Sequence, residues 1–389
     1  MIRNLFLEHK RLIITVVVMK IAFAVILVAT YPFVPFSEFD YAFNGYHYSG
    51  ARDILSRSLA AYDGQWYLHI AQNGYQNFPT DTLQKQSYAF FPLYPILIAL
   101  FAPLFDGSFL FAALTITFVC AVIGALLLYR VALLDLPKKE SRRAVWYFLL
   151  FPAAIFFTAT YTEALFFALS LASIHSARLA RFGPAGLWAY CAALTRPQGI
   201  LLLFPLAIEW WQQYGSTQRR EKAIKKLPLV VSPLFGFATY YMYVYLSTGN
   251  PFAYVQYNSD GWGRHIGSPI DAIMLMWERF GQFFSIPFHS FHYSQLDLMI
   301  ILVFLVMLIP IARRFRISYA AYAILLIAFP LMSGSTMSMT RYVAVSFPHL
   351  LLLGVFSTRW RAAHVALTAL SLSLALILGI RFVHWYWAG

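Results

Sequence analysis

Charge is scarce in this chain: Asp, Glu, Lys and Arg make up 12% of its 389 residues, roughly half of what a soluble domain carries. That shortage excludes an ordinary water-soluble globule. Cysteine is nearly absent, and Cys120 and Cys191 both fall inside apolar runs, so the chain has no disulfide framework and its cysteines say nothing about redox compartment. Acidic residues are outnumbered, 16 against 29 basic ones. The basic residues sit in short clusters between hydrophobic runs, the pattern of cytoplasmic loops rather than of a nucleic-acid-binding face, so no nucleic-acid partner is expected. The common catalytic signatures are missing as well. There is no His-Glu-x-x-His, no Walker loop and no Gly-x-Ser-x-Gly, which removes zinc peptidase, P-loop and α/β-hydrolase chemistry. His289 and His292 have a spacing metals can use, but neither a cysteine nor clustered carboxylates lie near them, and no metal site is expected.

Hydrophobic residues are abundant, at 60%. A helix needs roughly 20 apolar residues to cross a bilayer, and apolar runs fall at 12–30, 90–105, 109–134, 144–161, 164–179, 185–194, 199–211, 227–246, 296–311, 317–332, 342–356 and 362–380. The expected fold is all-α: one polytopic membrane domain over 1–389 with roughly nine to eleven transmembrane segments. The run at 12–30 is too long for a signal-peptide core and reads as a retained anchor. Lys20 interrupts it, either facing the bundle interior or snorkelling to the surface. Several runs are shorter than a full span, which is tolerated where they line a protein-enclosed cavity. The run at 90–105 is broken by Pro92, Pro95 and Pro103 and reads as re-entrant or partly inserted; 185–194 reads as half of a hairpin returning through 199–211. With the N-terminus inside, Arg3/Lys10/Arg11, Arg130/Lys138/Lys139/Arg142/Arg143, Arg178/Arg181, Arg219/Arg220/Lys222/Lys225/Lys226, Arg313/Arg314/Arg316 and Arg359/Arg361 are all cytoplasmic.

The remaining polar stretches then face the other side. The segment 31–87 is long for a connector and carries Glu38, Asp40, Asp53, Asp63 and Asp81. Within it Trp66, Tyr67, Ile70 and Ala71 recur at helical spacing, predicting a short amphipathic helix on the membrane surface. A second long loop, 247–295, holds a similar pattern at 271–284 through Met274, Leu275, Trp277 and Phe280. Five stretches are expected to gather on this face: the Asp63 loop, Thr160-Tyr161-Thr162-Glu163, Thr195-Arg196-Pro197-Gln198-Gly199, the 247–295 loop, and 333–341 ending in Arg341. Asp63 before Gly64-Gln65-Trp66 is a good helix N-cap, and it is also placed to accept a proton from an attacking hydroxyl; the two roles are compatible. Asp40 and Asp53 are the other candidates for that base. Arg196, between two apolar runs, needs an anionic partner, either Glu163 or a bound phosphate. Arg341 invites the same question, against an interfacial-anchor role. Trp262-Gly263-Arg264-His265 offers a flat face and cations that can hold a sugar ring and a phosphate, although a plain interfacial belt has the same composition.

Taken together, Tyr62-Asp63-Gly64-Gln65-Trp66-Tyr67-Leu68-His69-Ile70-Ala71-x-x-Gly74-Tyr75 and Tyr88-Ala89-Phe90-Phe91-Pro92-Leu93-Tyr94-Pro95 resemble the PIG-V-like mannosyltransferases, within the polytopic C-type (GT-C) glycosyltransferases. Tyr161-Thr162-Glu163, Thr195-Arg196-Pro197-Gln198-Gly199, Gly249-Asn250-Pro251 with Trp262-Gly263-Arg264, and Met339-Thr340-Arg341-Tyr342 are similar to the later motifs of that family, in the same order. Tyr62 stands where the family often has Trp. The resemblance implies a GT-C-type helical bundle that transfers mannose from a polyprenyl-phosphate carrier to a lipid or glycan acceptor on the non-cytoplasmic face of a membrane, in a bacterium the plasma membrane. It implies Asp63 as the catalytic acid/base group, and Arg196, Arg341, Arg264, His265, Trp262, Glu163 and His69 around the donor phosphate and sugar. The lipid-linked sugar takes the place of a cofactor, and membrane lipids are partners. A lipid-linked-sugar flippase or a glycan ligase would want similar features; the paired repeats frequent in transporters are not evident here.

Overall fold

Helices make up the regular structure of the described residues, which in this computed structural model are 2–43, 54–76, 86–215, 220–264, 267–268, 270–271, 274, 277–278, 293–333 and 337–388. The all-α expectation therefore holds. Among the described residues three helices are each long and apolar enough to cross a bilayer, fewer than the nine to eleven segments expected: His9–Ala29 within Ile2–Ala29, then Phe109–Leu133 and Arg361–Val383. A fourth span is available from Ile224–Val230 and Ser232–Thr248, bent by 44°, where Pro233 in the first turn of the second helix cannot continue the hydrogen-bond ladder of the first. The other apolar runs are carried by shorter helices. Leu93–Phe101 continues into the 3₁₀ turn Ala102–Phe105; at 1.5 Å per residue this stretch falls well short of the roughly 30 Å hydrocarbon layer, as its prolines suggest. The run at 144–161 is likewise split, because Lys138–Leu149 ends ahead of Pro152 and Ala154–Phe157 is 3₁₀. The chain is a multi-pass integral membrane protein.

The chain divides into two compact units, each assembled from separated stretches: 1–72, 96–171 and 350–388 form the first, and 73–95 with 172–349 the second. In the first unit, Ile14, Val18, Ile21 and Val25 lie on one exposed stripe of Ile2–Ala29, while Val16, Lys20 and Leu27 lie on the buried face. An apolar stripe turned outward is the inverse of a soluble helix and suits a lipid solvent. Lys20 is thus an interior residue: its Nζ donates to Thr158 Oγ1 at 2.5 Å. Nearby, Phe148 stacks on Phe167 at 4.8 Å and meets the edge of Phe157 at 4.9 Å.

In the second unit, Phe182–Ala193 packs closely against Arg220–Val230 and Ser232–Thr248. A Cβ on Gly186 would sit 2.5 Å from the Leu229 carbonyl oxygen, and one on Gly236 would sit 2.5 Å from that of Tyr190. Small residues at such crossings are what allow helices to pack without a hydrophobic driving force. Farther along, Glu209 on Leu203–Tyr214 is fully buried and bonded through both oxygens to Arg316, at 2.9 and 3.1 Å, with Ser318 donating at 2.6 Å. This network ties Leu203–Tyr214 to Ile317–Leu331.

Removing the buried member of that network strands a guanidinium. Because about a third of the Arg316 side chain is exposed, Glu209→Ala is expected to cost about 2–3 kcal/mol. It should lower the melting temperature of the detergent-solubilised protein by several degrees in scanning fluorimetry; an unchanged melting temperature would show that the network is not structural.

Candidate active site

Asp63 is the first residue of Asp63–Asn73, and the residue before it, Tyr62, has a left-handed backbone (φ 51°). The amides of Gly64 and Gln65 bond to the carbonyls of Ala61 and Tyr62, so the backbone itself closes the first turn and Asp63 stands inside the helix rather than ahead of it. Two clamps hold the unusual Tyr62 conformation. Its hydroxyl donates to the Trp385 carbonyl at 2.5 Å, and the Trp385 indole N–H donates to the Arg57 carbonyl at 2.7 Å. Burial, reinforced by the negative charge of Asp40, raises the Tyr62 pKa well above its ordinary value, so the phenol remains a neutral donor.

The helix is where the spacing of Trp66, Tyr67 and Ile70 predicts it, but its surroundings differ from the expected membrane surface. Gly64 through Ile70 are all buried in protein. The reason lies in the second motif of the same unit. Thr160 bonds to Leu59 through its amide at 2.9 Å, the Tyr161 hydroxyl donates to the Ala61 carbonyl at 3.2 Å, and Tyr67 meets Thr162 at 3.5 Å. The two turns approach so closely that a Cβ on Gly64 would lie 2.5 Å from Thr160 Oγ1. Glu163, fully buried, opens the helix Glu163–Arg178, and His69 is buried on Asp63–Asn73. The first unit therefore brings the Asp63 and Glu163 motifs together, with Asp63 only partly buried. Of the competing carboxylates, Asp40 serves the local fold. Ser37 Oγ donates to Asp40 Oδ2 at 2.8 Å and accepts from the Asp40 amide at 3.3 Å, a reciprocal cap on Glu38–Phe43. Asp53 lies outside the described residues, as do Asp81, His265, His289, His292, Leu275 and Phe280.

The second unit gathers the arginines. Arg196, Arg264 and Arg341 all direct their guanidinium carbons at the ring of Tyr342, at 5.3, 4.9 and 5.6 Å from its centroid. Arg264 also donates to the Tyr342 hydroxyl. Each arrives by a different device. Arg196, extended and buried, sits in a tight reversal between Phe182–Ala193 and Pro197–Leu202; there Gly199 approaches Ala193 so closely that a Cβ would collide with its backbone. Its Nε donates to Gln198 at 3.4 Å. Arg264 follows the left-handed Gly263 (φ 61°), which ends Ala253–Trp262 with the amides of Gly263 and Arg264 bonded to Ser259 and Asn258. Arg341 lies in the five-residue helix Met339–Val343. Trp262 sets its edge against Phe90 at 5.4 Å, beside the Ser87–Ala89 turn, where the Tyr240 hydroxyl lies 2.7 and 2.6 Å from the carbonyl oxygens of Tyr88 and Phe90. A cavity of about 350 Å³ is lined mainly by apolar groups, among them Phe237, Tyr241, Tyr254 and Phe329, together with Gln198 and Arg264.

Tyr342 and Gln198 were visible in their motifs without an evident role, and Asp297 was hidden in the apolar run at 296–311. A lone carboxylate in such a run is the signal that singles it out.

The Gly64 contact is open to test. Gly64→Ala is expected to push the first turn away from Thr160 at a cost of about 1–3 kcal/mol, and Thr160→Ala, which removes the colliding oxygen, should restore much of the melting temperature in the double variant. Equal losses in the single and double variants would contradict this packing.

Comparison with known proteins supplies the family. Residues 10–262 match the family model described as Mannosyltransferase (PIG-V), a stretch that contains Asp63, Glu163, Arg196 and Trp262 and ends before Arg264 and Arg341. The chain is 30% identical over 214 residues to GPI mannosyltransferase 2 of Drosophila pseudoobscura pseudoobscura, covering 50% of this chain and 46% of that protein, so less than half of the relative is matched. Among solved structures, the oligosaccharyltransferase of Archaeoglobus fulgidus in its apo form is similar at 12% identity and a TM-score of 0.47, over 98% of this chain and 56% of that one. The same enzyme tethered to an acceptor peptide gives 12% and 0.45, over 99% and 56%. The family match spans well over half of the sequence and includes the Asp63, Glu163 and Arg196 motifs: the chain belongs to the PIG-V mannosyltransferase family.

Proposed function

We propose that this protein transfers mannose from a polyprenyl-phosphate carrier to a lipid or glycan acceptor on the non-cytoplasmic face of its membrane. The observation that carries the reading is the grouping of Arg196, Arg264 and Arg341 around Tyr342 beside a largely apolar cavity. A phosphate attached to an isoprenoid chain has the matching chemistry, an anion joined to a hydrocarbon. Planar guanidinium forks suit phosphate oxygens, and the cavity wall suits the first isoprene units. Family membership and the name of the fly relative support mannose as the sugar.

In the proposed reaction the acceptor hydroxyl oxygen bonds to the anomeric carbon as the bond from that carbon to the phosphate oxygen breaks, with inversion. The hydroxyl proton passes to Asp63 and the electron pair leaves with the polyprenyl phosphate. The arginines stabilise the charge gathering on the departing oxygen, commonly the largest catalytic contribution where water is excluded. Trp262 is assigned to the sugar face, with His265, His69 and Glu163 as further polar contacts.

Two variants separate the roles. Asp63→Asn is expected to lower transfer on the order of 10²-fold to 10⁴-fold while leaving the affinity for undecaprenyl phosphate unchanged, as measured on purified protein in detergent. Arg341→Gln should instead weaken that affinity by about tenfold or more, the size of a lost charged hydrogen bond. Near-normal turnover in Asp63→Asn removes Asp63 from the role of base, and unchanged affinity in Arg341→Gln removes the phosphate assignment.

A further inference from the structure

We propose that Asp297 is a positioning residue that sets the direction of Arg341 and Tyr342, an inference that rests on the phosphate-binding reading of the arginine group. Asp297 is almost fully buried near the start of Tyr293–Arg314. Its Oδ1 accepts from both the amide and the hydroxyl of Thr340, at 2.7 and 2.6 Å, and its Oδ2 accepts from the amide of Ser338 at 3.1 Å. Three donors from one turn thus meet on one carboxylate, and the residues that follow directly are Arg341 and Tyr342.

The turn needs such a clamp. Ser338 has a φ of 66°, a left-handed conformation that residues with a side chain rarely adopt, and backbone of that kind persists only where its surroundings over-determine it. The helix it begins, Met339–Val343, has five residues, far too few to be stable through its own hydrogen bonds. Neither local propensity nor helix cooperativity therefore fixes Arg341. The carboxylate of Asp297 does so from a neighbouring long helix, and it lies within electrostatic reach of Arg264 as well. A purely structural role is separated from positioning by reading ligand affinity and melting temperature side by side.

The measurement is the affinity of the full-length protein in detergent for fluorescent undecaprenyl phosphate, with melting temperature recorded in parallel. Asp297→Asn keeps the side-chain volume but gives up the charge and one acceptor; Thr340→Val removes the hydroxyl from the opposite side of the same contact. Each is expected to raise Kd about tenfold. Thr340→Ser, which keeps the hydroxyl, should bind as the parent does. If Asp297 acts through Arg341, Asp297→Asn combined with Arg341→Gln will bind no more weakly than Arg341→Gln alone. Lowered melting temperatures with unchanged Kd in Asp297→Asn and Thr340→Val would overturn the positioning role, as would additive losses in the double variant. Should Asp297→Asn fail to fold, the Thr340 pair carries the same comparison. If Arg341→Gln itself leaves Kd unchanged, the phosphate reading falls, an outcome distinct from losing Asp297 alone.

Discussion

Like charges repel steeply where water is excluded, and the second unit nevertheless holds Arg196, Arg264 and Arg341 within 5.6 Å of the centroid of one tyrosine ring. The structure around Tyr342 can be understood as the means of keeping that arrangement. The ring presents a negative face to each guanidinium, and its hydroxyl accepts from Arg264. Gly199 permits the reversal that brings Arg196 in, Gly263 turns the chain so that Arg264 comes back, and Asp297 fastens the strained turn ahead of Arg341. On the reading proposed above, cations assembled at this structural cost would receive an anion, and the largely apolar cavity that Arg264 and Gln198 help to line would suit an anion that carries a hydrocarbon.

The first unit shows a different economy, in which rigidity is concentrated just ahead of the partly buried Asp63. Tyr62 is held in a left-handed conformation by Trp385, Gly64 lies hard against Thr160, and Tyr161 reaches back to the Ala61 carbonyl. In the proposed reaction such a fixed position would serve Asp63 as the proton acceptor, since proton transfer depends on short, aligned contact.

Much of this was legible in the residues. Composition alone established the solvent, and the short motifs containing Asp63, Glu163, Arg196, Arg264 and Arg341 marked the positions around which the two units are built. The prolines at 92, 95 and 103 foretold a helix too short to span, and the shortness of the run at 185–194 foretold a hairpin returning through 199–211. What could not be read was burial. The periodicity of Trp66, Tyr67 and Ile70 specifies a face without saying what covers it, and protein rather than lipid headgroups turned out to do so. Lys20 left two outcomes open until Thr158 decided between them. Asp297 was missed because hydropathy averages over a run, and a single carboxylate disappears in the mean although its bonding partners lie more than 40 residues away.

At the centre of this reading, a sugar is cut from a lipid phosphate and not merely carried. The most direct measurement supplies the purified protein in detergent with labelled polyprenyl-phosphate-mannose and a lipid extract of its host membrane, and follows both halves of the donor. Free polyprenyl phosphate is expected to appear in step with mannose in a new lipid or glycan product. Movement of the intact donor across reconstituted vesicles, with no cleavage under any acceptor condition, would contradict it.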